Sequence, residues 1–414
     1  MPLSEKFKRP TIEQDFQSWM TNLKAVDTIQ TAVPIIFIAA EGGGLRGTIW
    51  TGLFLDQMEK EMPGIHKNIY AISGVSGGGV GATFYISNLY DKLKSDSCGG
   101  CANQNFRKTI RADFLSDVLA ASLFQDNIQK FIPIGINSFN RTRRLEEAWS
   151  KSFRENNNSL TFDKAFTQLW QDTASRLPRL FINGVLAETG QKTIVSYPCI
   201  NRKETNDPFQ DEIDVIAQTG SDMPVKTAAS LCSRFPYITS GGLIQTQSKI
   251  PIGHVIDGGY KENTGLETIW QILLRLKPAM ANVQKINEGL TIRPIIIFIK
   301  NSPSNEVLDK NKSIANLMHE INIPIIGFMN AAFRISTKET LTEKIFKDFH
   351  TEENKPLDPL FFTVALERSD KGLGLPLGWY FSEESFNYVD VDINRVFSDK
   401  KHKMHELRRY FPKK

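Results

Sequence analysis

The strongest constraint on the fold is a short apolar run that ends in glycines. Val33 to Ala40 reads VPIIFIAA and passes directly into Glu41-Gly42-Gly43-Gly44-Leu45-Arg46-Gly47. Eight apolar residues closed off by turn formers predict a strand buried on both faces. From Thr48 to Glu61, Ile49, Trp50, Leu53, Phe54 and Met58 then recur at helical spacing. The pattern repeats once: NIYAIS, Asn68 to Ser73, is a second short strand, SGVSGGG follows it, and Gly77 to Leu93 reads as a helix. Two strand-glycine-helix units in succession imply parallel βα units and a sheet covered on both sides. The fold class expected is therefore α/β, a three-layer α/β/α sandwich around a mostly parallel or mixed central sheet.

Further strands are expected at Arg179 to Ala187, Thr193 to Tyr197, His254 to Asp257, Arg293 to Lys300 and Leu360 to Leu366. Between Phe106 and Phe153 the apolar residues Phe114, Leu115, Val118, Leu119 and Leu123 are spaced three and four apart, which predicts a helical insertion over about residues 95–178. No internal repeat and no Gly/Ser-rich or Pro-rich linker divides the chain. The organisation expected is a peripheral amino-terminal segment, 1–32, with a helix around Phe16, Trp19 and Leu23, one large domain over 33–399, and a basic tail over 400–414. A chain of 414 residues with 41% hydrophobic and 23% charged residues can bury a large core, which excludes collagen-like and disordered classes.

Charge is uneven. Seven Lys and Arg against the single Glu406 give residues 400–414 a charge of +6, so the net +4 of the chain leaves −2 for residues 1–399. Such a body is no nucleic-acid coat, and no nucleic-acid partner is expected. No apolar run reaches the roughly 18 residues of a membrane-spanning helix. The first residues lack the apolar core of a secretory signal, so a cytoplasmic protein, peripheral at membranes in one variant of the reading, is expected, with signal-independent secretion left open. Four cysteines fit a reducing compartment. Cys98 and Cys101 form a CxxC in SDSCGGCAN, but Cys199 and Cys232 make no second pair, so no metal site is expected; a local disulfide and an inert loop both fit Cys98/Cys101.

Two constellations carry chemistry. The first, Glu41 to Gly47, sits between strand and helix, where glycines let the backbone turn tightly and aim N–H groups at one point beside a helix N-terminus. Gly42, Gly44 and Gly47 also satisfy GxGxxG, a dinucleotide fingerprint, but that site wants an acid at the end of the second strand, whereas Glu59 and Glu61 precede it. The second, Gly74-Val75-Ser76-Gly77-Gly78, matches GxSxG between a strand and a helix, the context that holds a serine nucleophile on a sharp turn. A partner base has two sources. His319, His350, His402 and His405 follow in the usual hydrolase order but sit in no recognisable loop, while Asp257 closes a short strand in front of Gly258 and Gly259.

Taken together, the sequence resembles the patatin-like phospholipase family. EGGGLRG is similar to that family's glycine-rich oxyanion motif, GVSGG to its nucleophile elbow and DGG to its aspartate motif, in the family's order. KTAASLCSRFPYIT, Lys226 to Thr239, resembles the family's segment before the aspartate. DFLSDVLAASLFQDNIQKFIP, FNRTRRLEEAW, DGGYKENTG and LPLGWYFS resemble segments of a bacterial branch, and the likeness covers about residues 33–390. The chain departs from the pattern at Glu41, where the family often has Asp, and in YKENTG, which replaces the common continuation with Asn-Pro.

The resemblance implies a Ser76/Asp257 dyad without histidine. It implies cleavage of a fatty-acyl ester of a phospholipid or lysophospholipid through an acyl-enzyme. The oxyanion would be held by backbone N–H groups of Gly43, Gly44 and Leu45, with Gly77 added by analogy with other elbows. Gly42, Arg46, Gly47, Gly74, Gly78, Gly258 and Gly259 would support the motifs, Arg46 by ordering the cradle. No cofactor is implied. The stretch Phe114 to Ile136 reads either as an interfacial lid helix or as a core helix, and the basic tail either as a lipid-surface contact or as a solvated end. Two other classes stay in view: a dinucleotide-binding oxidoreductase using Gly42 to Gly47, and a catalytically silent lipid-binding protein.

Overall fold

The computed structural model describes residues 8–24, 32–95, 105–121, 141–200, 206–235, 239–286, 291–301, 338–349, 359–367 and 381–411, apart from residues 115, 175 and 401. The Cys98/Cys101 loop, His319, His350 and residues 122–136 lie outside them.

The predicted first unit is present as β1 (Ala32–Ala40) and helix α2 (Gly44–Glu61), preceded by α1 (Ile12–Lys24). The second is β2 (Ile69–Val75) and α3 (Ser76–Ser95). Then come β3 (Arg179–Leu186), β4 (Lys192–Ser196), β5 (Ile213–Asp214), β6 (Gly242–Gln245), β7 (Pro251–Asp257), β8 (Thr291–Lys300) and β9 (Leu360–Ala365). Among the described residues these form one mixed sheet in the order β5-β4-β3-β2-β1-β8-β9, with the β6-β7 hairpin paired to β3 through β7. Strands β3, β2, β1, β8 and β9 run parallel, while β4 and β7 run antiparallel to β3. β5 and β6 escaped the sequence reading because two and four residues carry too little alternation.

Alternation along the strands builds two cores. Ile36 and Ile38 of β1 with Ile295, Ile297 and Ile299 of β8 face α2, α3 and the insertion, whereas Ile35, Phe37 and Ala39 with Ile296 and Phe298 face α1 and the Leu266–Ile286 helix. Successive side chains of a strand point to opposite faces, so continuously apolar strands require two helical layers. α1 is keyed firmly into the second core. Phe16 and Trp19 are buried, and Asp15 forms a buried ion pair with Arg179 at 2.7 Å.

The insertion contributes Phe106–Ile110, Ser116–Ala120 and Arg141–Asn157 as helices. Phe114 and Val118, the described start of the apolar stretch, are buried, with the Phe114 ring 5.6 Å from that of Phe84. The basic tail also folds back. Met404 and Leu407 of the Lys403–Leu407 helix are buried and Arg408 bonds Glu61 at 2.7 Å, while Lys400, Lys403 and Arg409 face solvent.

Candidate active site

The site arises where strands end. β2 runs parallel to β3 and stops with Val75 opposite Asn183; β7 runs antiparallel to β3 and stops with Asp257 opposite Gly184, the next rung. Their carboxyl ends therefore abut along one edge of β3. Ser76, the residue after Val75, takes a left-handed φ of 48°, which turns the chain abruptly from β2 into α3. For a residue with a Cβ that conformation costs roughly 1–2 kcal/mol, and tertiary contacts must hold it. One of them is the buried Cys232 thiol, which donates to the Ser76 carbonyl at 3.4 Å.

Across this junction the Ser76 hydroxyl donates to Asp257 Oδ2 at 2.6 Å. The other carboxylate oxygen, Oδ1, accepts the Gly259 N–H at 2.8 Å, so the glycines after the aspartate serve as its backbone support. Asp257 is 3% exposed, and burial pushes its pKa up to about 6 against the opposing pull of the Ser76 and Gly259 hydrogen bonds. A carboxylate so placed is a better proton acceptor near neutrality than an ordinary aspartate. Three described histidines are engaged elsewhere, His66 with Glu59, exposed His254 with Glu188, and His402 as the cap of the Lys403–Leu407 helix, and His405 lies in the last turn of that same helix. Among the described residues no group of three or more His, Cys, Asp or Glu side chains is arranged to hold a metal ion.

The glycine-rich cradle lies against the same point. Gly44 opens α2 with a left-handed φ of 54°, open to glycine at no steric cost. Gly77 approaches it so closely that a Cβ there would sit 1.9 Å from the Gly44 carbonyl oxygen. The N-termini of α2 and α3 are thus packed backbone to backbone, and a Cβ on Gly42 would stand 3.0 Å from that of Ser76. The first N–H groups of a helix have no intrahelical acceptor, so Gly44 and Leu45 in α2 and Gly77 in α3 bring unspent donors and positive potential to one locus. Gly43 precedes them as the N-cap and accepts from the Gly47 N–H at 3.0 Å.

The other predicted glycines line the junction. Gly74 offers its carbonyl to Asn183, Gly78 packs on the Ala40 and Glu41 carbonyls, and the Gly258 N–H donates to Cys232 O. Arg46 Nε donates to Asn301 Oδ1 at 3.1 Å.

Several residues of the site were missed by sequence reasoning. Asn301, one step beyond β8, donates to the carbonyls of Glu41 (3.1 Å) and Gly42 (2.7 Å), and its own N–H goes to Glu41 Oε2 at 2.8 Å. Asn263 holds Gly42 from the other side, its carbonyl accepting the Gly42 N–H at 2.9 Å. Asn183, buried in β3, donates to Ser73 Oγ and Gly74 O at 2.9 Å each. A polar residue inside or just after an apolar strand run, as in RLFINGVLA and IIIFIKN, was the available signal.

A serine on the elbow after β2, an aspartate at the end of β7 on the same edge of β3, and a glycine cradle after β1 on the far side of β2 define a class. The chain belongs to the patatin-like phospholipase family, whose model matches residues 38–270, more than half of its length. The match holds at the level of the family and does not separate its branches. Among solved structures, the chain is similar to human GIVD cytosolic phospholipase A2 in complex with methyl γ-linolenyl fluorophosphonate (12% identity, TM-score 0.41). That match covers 97% of this chain and 63% of the human one. It is similar also to VipD from Legionella pneumophila, with 9% identity and a TM-score of 0.32 over 91% of this chain and 67% of that one. A third likeness, 19% identical with a TM-score of 0.22, is to the heterodimeric ExoU-SpcU complex from the type III secretion system of Pseudomonas aeruginosa, covering 50% of this chain and 36% of that one. The chain therefore spans less than two thirds of the length of the first of these. No curated protein sequence matches it.

Proposed function

We propose that the protein is a serine lipid acyl hydrolase that cleaves fatty-acyl esters of phospholipids or lysophospholipids. The observation that carries this reading is the 2.6 Å hydrogen bond from Ser76 Oγ to the buried Asp257 carboxylate, beside two helix N-termini, in a chain of this family. Asp257 takes the hydroxyl proton as Ser76 Oγ attacks the ester carbonyl carbon. The resulting oxyanion is held by the N–H groups of Gly44, Leu45 and Gly77 at the starts of α2 and α3, together with that of Gly43 just before α2. The carbonyl re-forms, the leaving lysolipid or alcohol oxygen takes the proton from Asp257, and an acyl-Ser76 ester remains. Water, giving a proton to the same carboxylate, then attacks that ester and releases the fatty acid while the proton returns to Ser76 Oγ. Arg46 and Asn301 keep the Glu41–Gly44 loop in shape and stay out of the proton transfers.

The substrate lies in a bilayer or micelle, so the enzyme works as a peripheral visitor, in a cytoplasmic setting. Among the described residues no helix is long and apolar enough to cross a membrane. Lys400, Lys403 and Arg409, exposed on the docked tail, supply cations for anionic headgroups, each worth about 1 kcal/mol near such a surface. Replacing the three by Gln should weaken binding to anionic vesicles and leave neutral ones unchanged; equal loss on both would remove the tail from the reading.

The deciding experiment is labelling with a fluorophosphonate serine probe together with hydrolysis of a fluorogenic acyl ester. Wild type should label and turn over, and folded Ser76→Ala should do neither. A folded Ser76→Ala or Asp257→Asn protein that retains near wild-type turnover would overturn the assignment.

A further inference from the structure

A buried carboxylate of the insertion is tied to the segment that packs against the Ser76/Asp257 junction. Glu146, on the Arg141–Asn157 helix, is 8% exposed and accepts hydrogen bonds from Ser230 Oγ at 2.5 Å and Thr227 Oγ1 at 3.0 Å. It also pairs with Arg234 Nη2 at 3.5 Å. All three donors belong to one stretch, the Val225–Leu231 helix and the turn after it. Arg234 is itself 8% exposed, and its guanidinium further donates to Ser240 O and Ser230 Oγ, both at 3.1 Å. A guanidinium and a carboxylate this deeply buried hold one another in place, because removing either leaves an uncompensated charge.

The same turn touches the backbone of both members of the dyad. Arg234 O accepts the Asp257 N–H at 3.1 Å and Cys232 O accepts the Gly258 N–H at 3.3 Å, while Cys232 Sγ donates to Ser76 O at 3.4 Å. Residues 232–234 thus act as a clamp across the β2/β7 junction. We propose that Glu146 is a positioning residue for the Ser76/Asp257 pair, acting through the turn that ends at Arg234 rather than by touching substrate. The kinetic part of this proposal rests on the hydrolase reading; the structural part does not. A hydroxyl-to-carboxylate alignment at a site of this kind tolerates little displacement, since shifts of about 1 Å cost roughly a hundredfold in rate. Without its carboxylate at position 146, the turn loses the acceptor that gathers Thr227, Ser230 and Arg234, and the two carbonyls that hold Asp257 and Gly258 lose their fixed position.

The test is Glu146→Gln, near-isosteric but carrying an amide that turns a donor toward other donors, compared with Glu146→Asp, which keeps the charge. Amide hydrogen exchange in the wild-type protein and both variants is read at residues 254–260 and, as an internal control, at 291–300. Glu146→Gln should speed exchange at 254–260 by about tenfold or more with no change at 291–300, and Glu146→Asp should restore part of the protection. On a soluble acyl ester, kcat of Glu146→Gln, normalised to probe-labelled sites, should fall by about tenfold or more with KM within about twofold. Unchanged exchange at 254–260, or a lowered melting temperature with unchanged normalised kcat, would overturn the proposal. Should Glu146→Gln not fold, Ser230→Ala removes a single contact and must give the same selective acceleration, or the proposal fails. Selective exchange in a protein whose hydrolysis does not depend on Ser76 would leave the clamp standing and sink the hydrolase reading instead.

Discussion

Ser76 and Asp257 lie 181 residues apart in the chain and 2.6 Å apart at Oγ and Oδ2, because the strands that end on them approach β3 from opposite directions. β2 and β7 together occupy one edge of β3 end to end, Val75 on the rung of Asn183 and Asp257 on that of Gly184. A one-residue slip of β7 would turn Asp257 to the other face of the sheet. The register of a short antiparallel pairing therefore decides whether the serine hydroxyl meets a carboxylate.

The buried aspartate predicts opposite effects on rate and stability. A base must be unprotonated, so kcat/KM on a soluble ester should rise as pH passes about 6 and level off above it. The folded value lies above the ordinary 3.8, so the native state binds more protons between the two, and the stability contributed by protonation is present below about 3.8 and lost as pH rises through 6. Asp257→Asn should abolish turnover yet unfold at higher denaturant than wild type at pH 8. The gain is at most about 3 kcal/mol for a two-unit shift, and it shrinks at pH 4. Denaturant titrations at both pH values, showing no such narrowing, would contradict it.

Gly77→Ala should cripple the site while leaving the fold largely in place. The added methyl would meet the Gly44 carbonyl oxygen at 1.9 Å, and both atoms belong to helix starts that cannot give way independently. Forced apart, the donors around Ser76 lose their common focus, with an expected loss of ~100-fold in kcat. Far-UV circular dichroism close to wild type, alongside the rate, checks the distinction.

Asn301→Ala tests a residue that no motif marks. Removing the amide takes the Asn301 donor from the carbonyls of Glu41 and Gly42, leaving Gly42 O the longer 3.3 Å bond from Asn263 Nδ2, and takes from Arg46 Nε its Asn301 acceptor, so stability should drop by about 1–3 kcal/mol. Activity should fall with it, since those carbonyls belong to the loop that carries Gly43 and Gly44. Asn301→Asp should be worse than Asn301→Ala, because a carboxylate faces two carbonyl oxygens; urea unfolding and probe labelling rates report the two effects.

The carboxyl-terminal segment is expected to be structural as well as cationic. Leu407 is fully buried, and its truncation to Ala should cost about 2–4 kcal/mol through lost contact and a cavity. Arg408→Ala removes only a half-exposed bond to Glu61 and should cost under about 1 kcal/mol. Thermal melts of the two variants should separate clearly.

Local pattern was enough for the strand and helix order around the motifs. VPIIFIAA and RPIIIFIK were readable as strands because burial on both faces leaves no polar alternation, and the elbow serine was readable because strand, glycines and helix follow one another within a few residues. The two aspects that failed were the shortest strands, β5 and β6, and the asparagines that brace the cradle. Asn183, Asn263 and Asn301 carry no spacing signal, since the backbone and hydroxyl groups they bind are brought from elsewhere in the chain.

The sequence by itself determined that serine, aspartate and glycine loops would stand at strand ends, for that follows from periodicity and turn chemistry over a few residues. Only the tertiary structure decided that those ends coincide. Strand order, the direction of β7 against β3 and the register of its last rung are set by packing between segments far apart in the chain, Gly184 and Asp257 being 73 residues from one another. The same packing buries Asp257, lifts its pKa to about 6 and lays a turn anchored by Glu146 across both members of the pair. Desolvation and contact are properties of the assembled interior, and no local stretch of the chain carries them.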